Sequence, residues 1–194
     1  MKKARAGNDR LEGVRVAALV ASGFEEIELE EPKRALERAG ATVDVVSPLP
    51  GTVRAWRRTE WGDEWKVDRA LADVGARDYD AVLLPGGVMN PDHLRTDATA
   101  VRFLRQSFED GKPIGVICHG PWTLIDAGVA DGLRITSYAS LRRDLENAGA
   151  HWVDAEVVVD RGVVSSRTPD DLAAFNRQIV ETFAEGARPR EVAS

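Results

Sequence analysis

The sequence predicts a three-layer α/β domain with helices on both faces of a mostly parallel sheet, and three observations carry that prediction. Short valine-rich apolar runs alternate with amphipathic stretches, the connections between them are tight, and glycine or proline punctuates the run ends. The first run, VRVAALVAS from Val14 to Ser22, reads as a buried strand. From Glu25 to Ala39, Ile27, Leu29, Ala35 and Leu36 lie among charges and the pattern stops at Gly40, as in a helix. Pro32 leaves its start open between Glu25 and the Glu31-Pro32 pair. Ala41 to Ser47 is β-branched and alternating, which completes a parallel βαβ unit.

Pro48 to Tyr79 reads as an excursion from the main sheet, with Trp56, Trp61 and Trp65 among charges and with TVRAW and EWKVD as hairpin arms. DAVLLPGG, Asp80 to Gly87, is a strand ending in a Pro-Gly-Gly turn. A loop leads to a helix from about Asp97 to Asp110, closed by Gly111. KPIGVICHGPWTLIDAG repeats the unit, with a strand from Ile114 to Ile117, a sharp turn at Cys118-His119-Gly120 and a helix to Gly128. A short strand at Leu133 to Ser137 and a helix at Leu141 to Ala148 follow. AEVVVD and GVVSS are two strands joined through Asp160-Arg161-Gly162 as a hairpin. Thr168-Pro169-Asp170-Asp171 is an N-cap, a first-position proline and first-turn acids, which open a terminal helix to about Glu185. The 194 residues contain no repeat and no linker, so one domain is expected over residues 1–194, with a polar extension at 1–12 and a frayed tail at 187–194.

Composition narrows the function. With 26 Lys and Arg against 32 Asp and Glu the net charge is -6, and the only basic group is the short Arg54, Arg57, Arg58 set, so no nucleic-acid partner is expected. No apolar run reaches the roughly 18 residues that span a bilayer, and no apolar segment follows the charged N-terminus, so no membrane association and a cytoplasmic location are expected. One cysteine, Cys118, permits no intramolecular disulfide, and His93, His119 and His151 give no zinc spacing. No metal and no cofactor are expected.

Special chemistry therefore centres on Cys118 or on carboxylates. Functional groups of an open α/β sheet gather beyond the carboxyl ends of the strands, and Cys118 sits on such a strand-to-helix turn. A helix starting near His119 is expected to aim free N–H groups at the sulfur and favour thiolate over a thiol of ordinary pKa about 8.5. The competing reading is a small buried hydrophobe. His119 can act as acid or base, although adjacent turn residues usually diverge, and its backbone N–H can serve as an oxyanion donor with an amide of Gly86 or Gly87.

GVICHGPWTLIDAG, with GFEEIEL at Gly23 to Leu29, LLPGG at Leu83 to Gly87, TSY at Thr136 to Tyr138, NAGAHWVDAEVVVD at Asn147 to Asp160 and VSSRTPDDL at Val164 to Leu172, resembles the PfpI intracellular-protease family of the DJ-one/PfpI superfamily along nearly the whole chain. The resemblance implies a flavodoxin-like sandwich of the type shared with class 1 glutamine amidotransferases, a nucleophilic and easily oxidised Cys118, and dimers or larger homo-oligomers. It implies a triad in which His119 pairs with an acid from a neighbouring subunit. The matching acid is Asp92 in VMNPDHLR, a shorter side chain in a longer loop than the family's glutamate, with His93 beside it unassigned. Glu25 and Glu28 match the two family glutamates, Glu28 being the more direct partner of the cysteine. Such a carboxyl fits beside a thiolate only when protonated, and it could then hold a sulfinate as well. Tyr138 falls at the cleft, and His151 reads as a surface or interface residue. Implied functions are a cysteine hydrolase acting on small reactive aldehydes, glycated adducts or peptides, with small aldehydes preferred, or alternatively a non-enzymatic stress sensor or holding chaperone. A glutaminase needs a downstream His-x-Glu that this chain lacks.

Overall fold

A computed structural model describes residues 10–186. The chain runs β1 (Arg15–Leu19), α1 (Glu26–Arg38), β2 (Thr42–Ser47), β3 (Thr52–Arg57), β4 (Glu60–Lys66), β5 (Arg69–Ala70), β6 (Ala81–Leu84), α2 (Met89–Thr96), α3 (Ala98–Glu109), β7 (Ile114–Ile117), α4 (Pro121–Asp126), β8 (Arg134–Ile135), α5 (Arg142–Asn147), β9 (His151–Trp152), β10 (Val157–Asp160), β11 (Val163–Ser166) and α6 (Leu172–Gly186). The main sheet has the order β10-β11-β7-β6-β1-β2-β5, parallel except for β10. From β1 the chain moves outward to β2 and β5, then returns to β6 on the other side of β1. This reversal opens a crevice at the carboxyl ends of β1 and β6, where α/β sheets bind ligands.

Each central strand feeds two cores because successive side chains face opposite ways. Ala17 and Leu19 of β1 pack beneath Leu94, Phe103, Leu104 and Leu124, whereas Val16 and Ala18 pack with Leu29, Leu36, Phe175 and Ile179. Helices α1 and α6 thus cover one face, and α2 to α5 the other, which is the flavodoxin-like sandwich. Gly115 of β7 lets α6 approach, since a Cβ there would lie 2.9 Å from Ile179 Cγ2.

Several expectations change. Helix α1 begins at Glu26, and Pro32 is buried inside it. The cost of the lost N–H is tolerated because the same face buries Leu29, Ala35 and Leu36. The loop expected after Gly87 is largely α2, so Asp92 and His93 ride on a helix. β8 has two residues and pairs with β9, which the sequence did not suggest, in a separate parallel pair outside the main sheet. Thr168 makes no side-chain cap; Pro169–Asp171 is a 3-10 turn, and buried Asp171 is held instead by Arg167 at 2.9 and 3.0 Å. The hairpin expected through Asp160-Arg161-Gly162 is present, but Asp160 is the last residue of β10, so the turn is the two residues Arg161 and Gly162, both with positive φ. Of the expected polar extension, residues 1–9 lie outside the described residues, as does the expected tail at 187–194; Leu11 is fully buried and donates its N–H to Ala39 O at 2.8 Å.

Candidate active site

The tryptophan-containing excursion, paired as β3 and β4, folds back over the crevice. Trp56 N–H donates to Phe24 O at 2.7 Å, and Gly23 N–H donates to Arg54 O at 2.8 Å, so the segment after β1 holds β3 against it. Glu26, 6% exposed, locks the hairpin to α1: it pairs with Arg57 at 2.7 Å and accepts from Asp63 N–H and Trp65 Nε1. Between this wall and the ends of β6 and β7 lies a cleft of about 830 Å³.

At its floor Cys118 takes φ +61, a strained left-handed conformation for a residue with a side chain. The turn is held by Cys118 N–H donating to Ser166 O at 3.1 Å and by Tyr138 N–H donating to Cys118 O at 2.9 Å. The sulfur is 3.2 Å from His119 Nδ1, so on this turn the neighbouring side chains converge, contrary to the expected divergence. Tyr138 stacks on the imidazole at 4.6 Å, and Trp122 meets it edge-on at 5.7 Å.

The electrostatics also depart from expectation. α4 is six residues long and opens with Pro121, and the Gly120, Trp122 and Thr123 N–H groups bond within the turn, so the helix end has little to aim at sulfur. The donors at the sulfur are the His119 and Gly87 amides. Burial first, and the Glu28 carboxylate second, push the Cys118 thiol up against them. Glu28 is fully buried; its Oε2 accepts from Gly86 N–H at 2.8 Å, while Oε1 meets no hydrogen-bond geometry with any of the described residues and the carboxyl also interacts with the Cys118 thiol. Burial pushes Glu28 up to about 8, so at neutral pH it carries a proton. The protonated carboxyl no longer repels a thiolate and can donate to it. Burial also lowers the His119 pKa, which favours the neutral imidazole with a free nitrogen toward the thiol but makes it a weaker base than an exposed histidine.

Cys118, His119, Glu28, Glu25, Gly87 and Tyr138 therefore share one cleft. Gly86 supports rather than lines it: its amide serves Glu28, leaving Gly87 and His119 as the donor pair. A Cβ on Gly86 would come within 2.5 Å of Glu28 Oε2 and 2.7 Å of Cys118 Cβ. Glu25, also pushed up by burial, accepts from Arg58 N–H at 3.3 Å. Asp92 does not line the cleft in its own chain: its side chain is 64% exposed beside Arg95. His93 faces a small separate pocket with Leu49, and His151 is exposed on β9. Sequence reasoning missed Trp56, Arg58, Met89 and Asp170 as cleft walls; only the pairing of distant segments puts them there. Among the described residues no group of three or more His, Cys, Asp or Glu could hold a metal ion.

A model of the DJ-1/PfpI family matches residues 14–182. The chain is 46% identical over 164 residues to the Bacillus subtilis protein named "Putative cysteine protease YraA", covering 84% of this chain and 95% of that one. It is 44% identical over 168 residues to General stress protein 18 of Bacillus subtilis, covering 86% and 95%. Among solved structures, Drosophila melanogaster DJ-1beta superposes with a TM-score of 0.78 at 30% identity, covering 93% of this chain and 99% of that one. A two-domain Anabaena variabilis protein with DJ-1/ThiJ/PfpI-like and ferritin-like domains gives 0.83 at 31% identity, covering 93% of this chain and only 52% of that longer one. Motif, fold and a strained cysteine at the strand end agree with these similarities, and the chain belongs to the DJ-1/PfpI family.

Proposed function

We propose that the protein is a cysteine-dependent enzyme of stress metabolism acting on small reactive carbonyl compounds, with Cys118 as nucleophile. The observation that carries this is the meeting of three features at one sulfur: a left-handed turn that presents it, His119 Nδ1 at 3.2 Å, and two backbone amides. In the reaction, Nδ1 takes the thiol proton, the sulfur attacks the aldehyde carbon, and an S–C bond forms as the carbonyl π pair moves to oxygen. In this reading the Gly87 and His119 amides, which already favour negative charge at the sulfur, hold that oxyanion, and the imidazolium returns the proton to it, giving a neutral thiohemiacetal. Glu28, protonated, neither repels the sulfur nor competes for the electrophile. Peptide cleavage, named for one relative, needs an extended groove as well; the cleft is instead walled by Trp56, Tyr138 and Pro169, which suits small substrates better. The family's triad would bring in Asp92 only through a second copy of the chain, in a homodimer or larger assembly.

A second reading is oxidative sensing, favoured by Glu28 Oε1, which meets no hydrogen-bond geometry among the described residues and as part of a protonated carboxyl can hold an oxidised sulfur. Client holding has less support, since among the described residues the large exposed apolar side chains Ile27, Leu49, Trp61 and Val159 sit on separate segments, and Val88 and Tyr138 belong to the cleft itself.

The test is consumption of methylglyoxal by the purified protein with Cys118→Ser as blank. Turnover lost entirely in Cys118→Ser supports the enzyme. No turnover in either, together with loss of the wild-type thiol after mild peroxide, favours the sensor; turnover unchanged in Cys118→Ser sinks the cysteine enzyme, and a wild-type thiol that survives peroxide sinks the sensor.

A further inference from the structure

We propose that Ser140 is the positioning residue for His119: its hydroxyl oxygen accepts the Nε2 proton, leaving Nδ1 as the unprotonated nitrogen that faces the Cys118 sulfur. The inference rests on the nucleophile reading above and deepens it, because it lets the proton-transfer pair be assembled within one chain.

An imidazole serves as a base through Nδ1 only while its proton sits on Nε2, and in a largely enclosed ring that proton needs an acceptor. Among the described residues, the two side chains at hydrogen-bonding distance from the ring nitrogens are Cys118, with Sγ 3.2 Å from Nδ1, and Ser140, with Oγ 3.4 Å from Nε2. Burial is what moves the histidine's titration, with no carboxylate contributing. Ser140 is itself exposed, so its own hydroxyl proton can go to water and its oxygen is free to accept. The distance is long for a strong bond, as catalytic hydrogen bonds often are before substrate binds.

The surroundings prevent the ring from turning away. Tyr138 stacks on one face with planes 24° apart, and Trp122 meets the ring edge-on. Trp122 is in turn fixed by Nε1 donating to Asp144 Oδ2 at 2.7 Å and by the Arg95 guanidinium 5.5 Å from its ring. Tyr138 and Ser140 share one short segment: Tyr138 N–H is bonded to Cys118 O, and Leu141 N–H returns to Tyr138 O. The same backbone bonds that hold the cysteine turn therefore place the stacking ring and the hydroxyl. Asp92, the acid the family resemblance assigns to this histidine, lies instead beside Arg95, which also pairs with Asp126 at 3.5 Å.

The experiment follows the His119 imidazole by nitrogen-resolved NMR through a pH titration of the full chain and measures the pH profile of iodoacetamide alkylation of Cys118. Wild type, Ser140→Ala, Ser140→Thr and Asp92→Asn are compared. The charged groups around the ring, Glu25, Glu28, Arg58 and Asp170 in the cleft and Arg95 and Asp144 behind Trp122, stay in place in the Ser140 variants. Loss of one hydrogen bond to the imidazolium in Ser140→Ala should weaken its protonation constant roughly two- to tenfold, lowering the midpoint. Alkylation at neutral pH should fall roughly tenfold, short of the 10²- to 10⁴-fold worth of a whole base. Ser140→Thr should restore both, and Asp92→Asn reports separately whether the family's acid reaches the histidine from a second copy of the chain. Unchanged His151 signals show that each variant is folded. An unmoved midpoint and profile in Ser140→Ala, or a shift that follows Asp92→Asn instead, overturns the proposal. If Cys118 resists alkylation in wild type, the nucleophile reading fails, while the His119 titration still decides the role of Ser140.

Discussion

Glu28 shows how burial can make a carboxylate into a neutral hydrogen-bond partner. Its pKa is raised by the fold, so the stability it contributes is full below the unfolded value near 4.5 and is lost as pH rises through about 8. Glu28→Gln keeps the size and can still accept from Gly86 while remaining neutral. The expected result is a melting temperature nearly level between pH 5 and 9, against a wild-type value that falls across that window. Parallel curves for the two proteins would show that Glu28 is ionised throughout. Gly86→Ala tests how closely the site is packed. With Glu28 Oε2, Cys118 Cβ and His119 N all within 2.9 Å of the added Cβ, about 1–3 kcal/mol of stability should be lost in denaturant unfolding. Cys118 alkylation should change with it, because the same shift displaces the sulfur. Cys118, His119, Glu28 and Tyr138 could be named from sequence because short contiguous motifs carry them. The convergence of Cys118 with His119 could not, since it depends on φ +61 and on hydrogen bonds to Ser166 and Tyr138 far along the chain.

Among the elements, the β3–β4 hairpin joins packing to the wall of the cleft. An exposed two-stranded hairpin is marginal by itself. This one is fastened to α1 through Glu26, whose neighbours Glu25 and Glu28 belong to the cleft. Glu26→Ala removes one charged acceptor from three donors, and the expected loss is about 1–3 kcal/mol. Limited proteolysis should then cut between residues 57 and 66 faster than in wild type, with weaker substrate binding as the Trp56 wall loosens. A cleavage rate equal to that of wild type would mean that the β3 bonds to the segment after β1 suffice. The tryptophans signalled an excursion in the sequence, and TVRAW and EWKVD marked its arms, but alternation cannot tell which distant segment a hairpin rests on. The two-residue pairing of β8 with β9 escaped notice for a related reason: neither segment is long enough to show a period.

The whole molecule is organised by a sheet whose strands belong to two cores at once. Val16 and Ala17, Leu83 and Leu84, and Val116 and Ile117 are neighbouring residues that enter opposite apolar clusters. Neither cluster can separate without exposing the same strands, and we propose that the described residues unfold as one unit. Far-ultraviolet dichroism and tryptophan fluorescence should report coincident denaturation midpoints. Distinct midpoints would mean that the hairpin, which holds Trp56, Trp61 and Trp65, melts apart from the sheet.

The layered α/β class, most strand and helix positions, the turn that carries Cys118 and the family likeness were determined by the sequence itself. Hydrophobic period, turn residues and contiguous motifs are local, and one strand-to-helix turn suffices to present a nucleophile. Only the tertiary structure decided which amides face the sulfur, that burial pushes Glu28 toward its neutral form, that the helix after the cysteine is too short and self-satisfied to act on it, and that Ser140 rather than Asp92 faces the histidine within one chain. These outcomes depend on burial and on distances between residues far apart along the chain, and neither can be read from the order of residues alone.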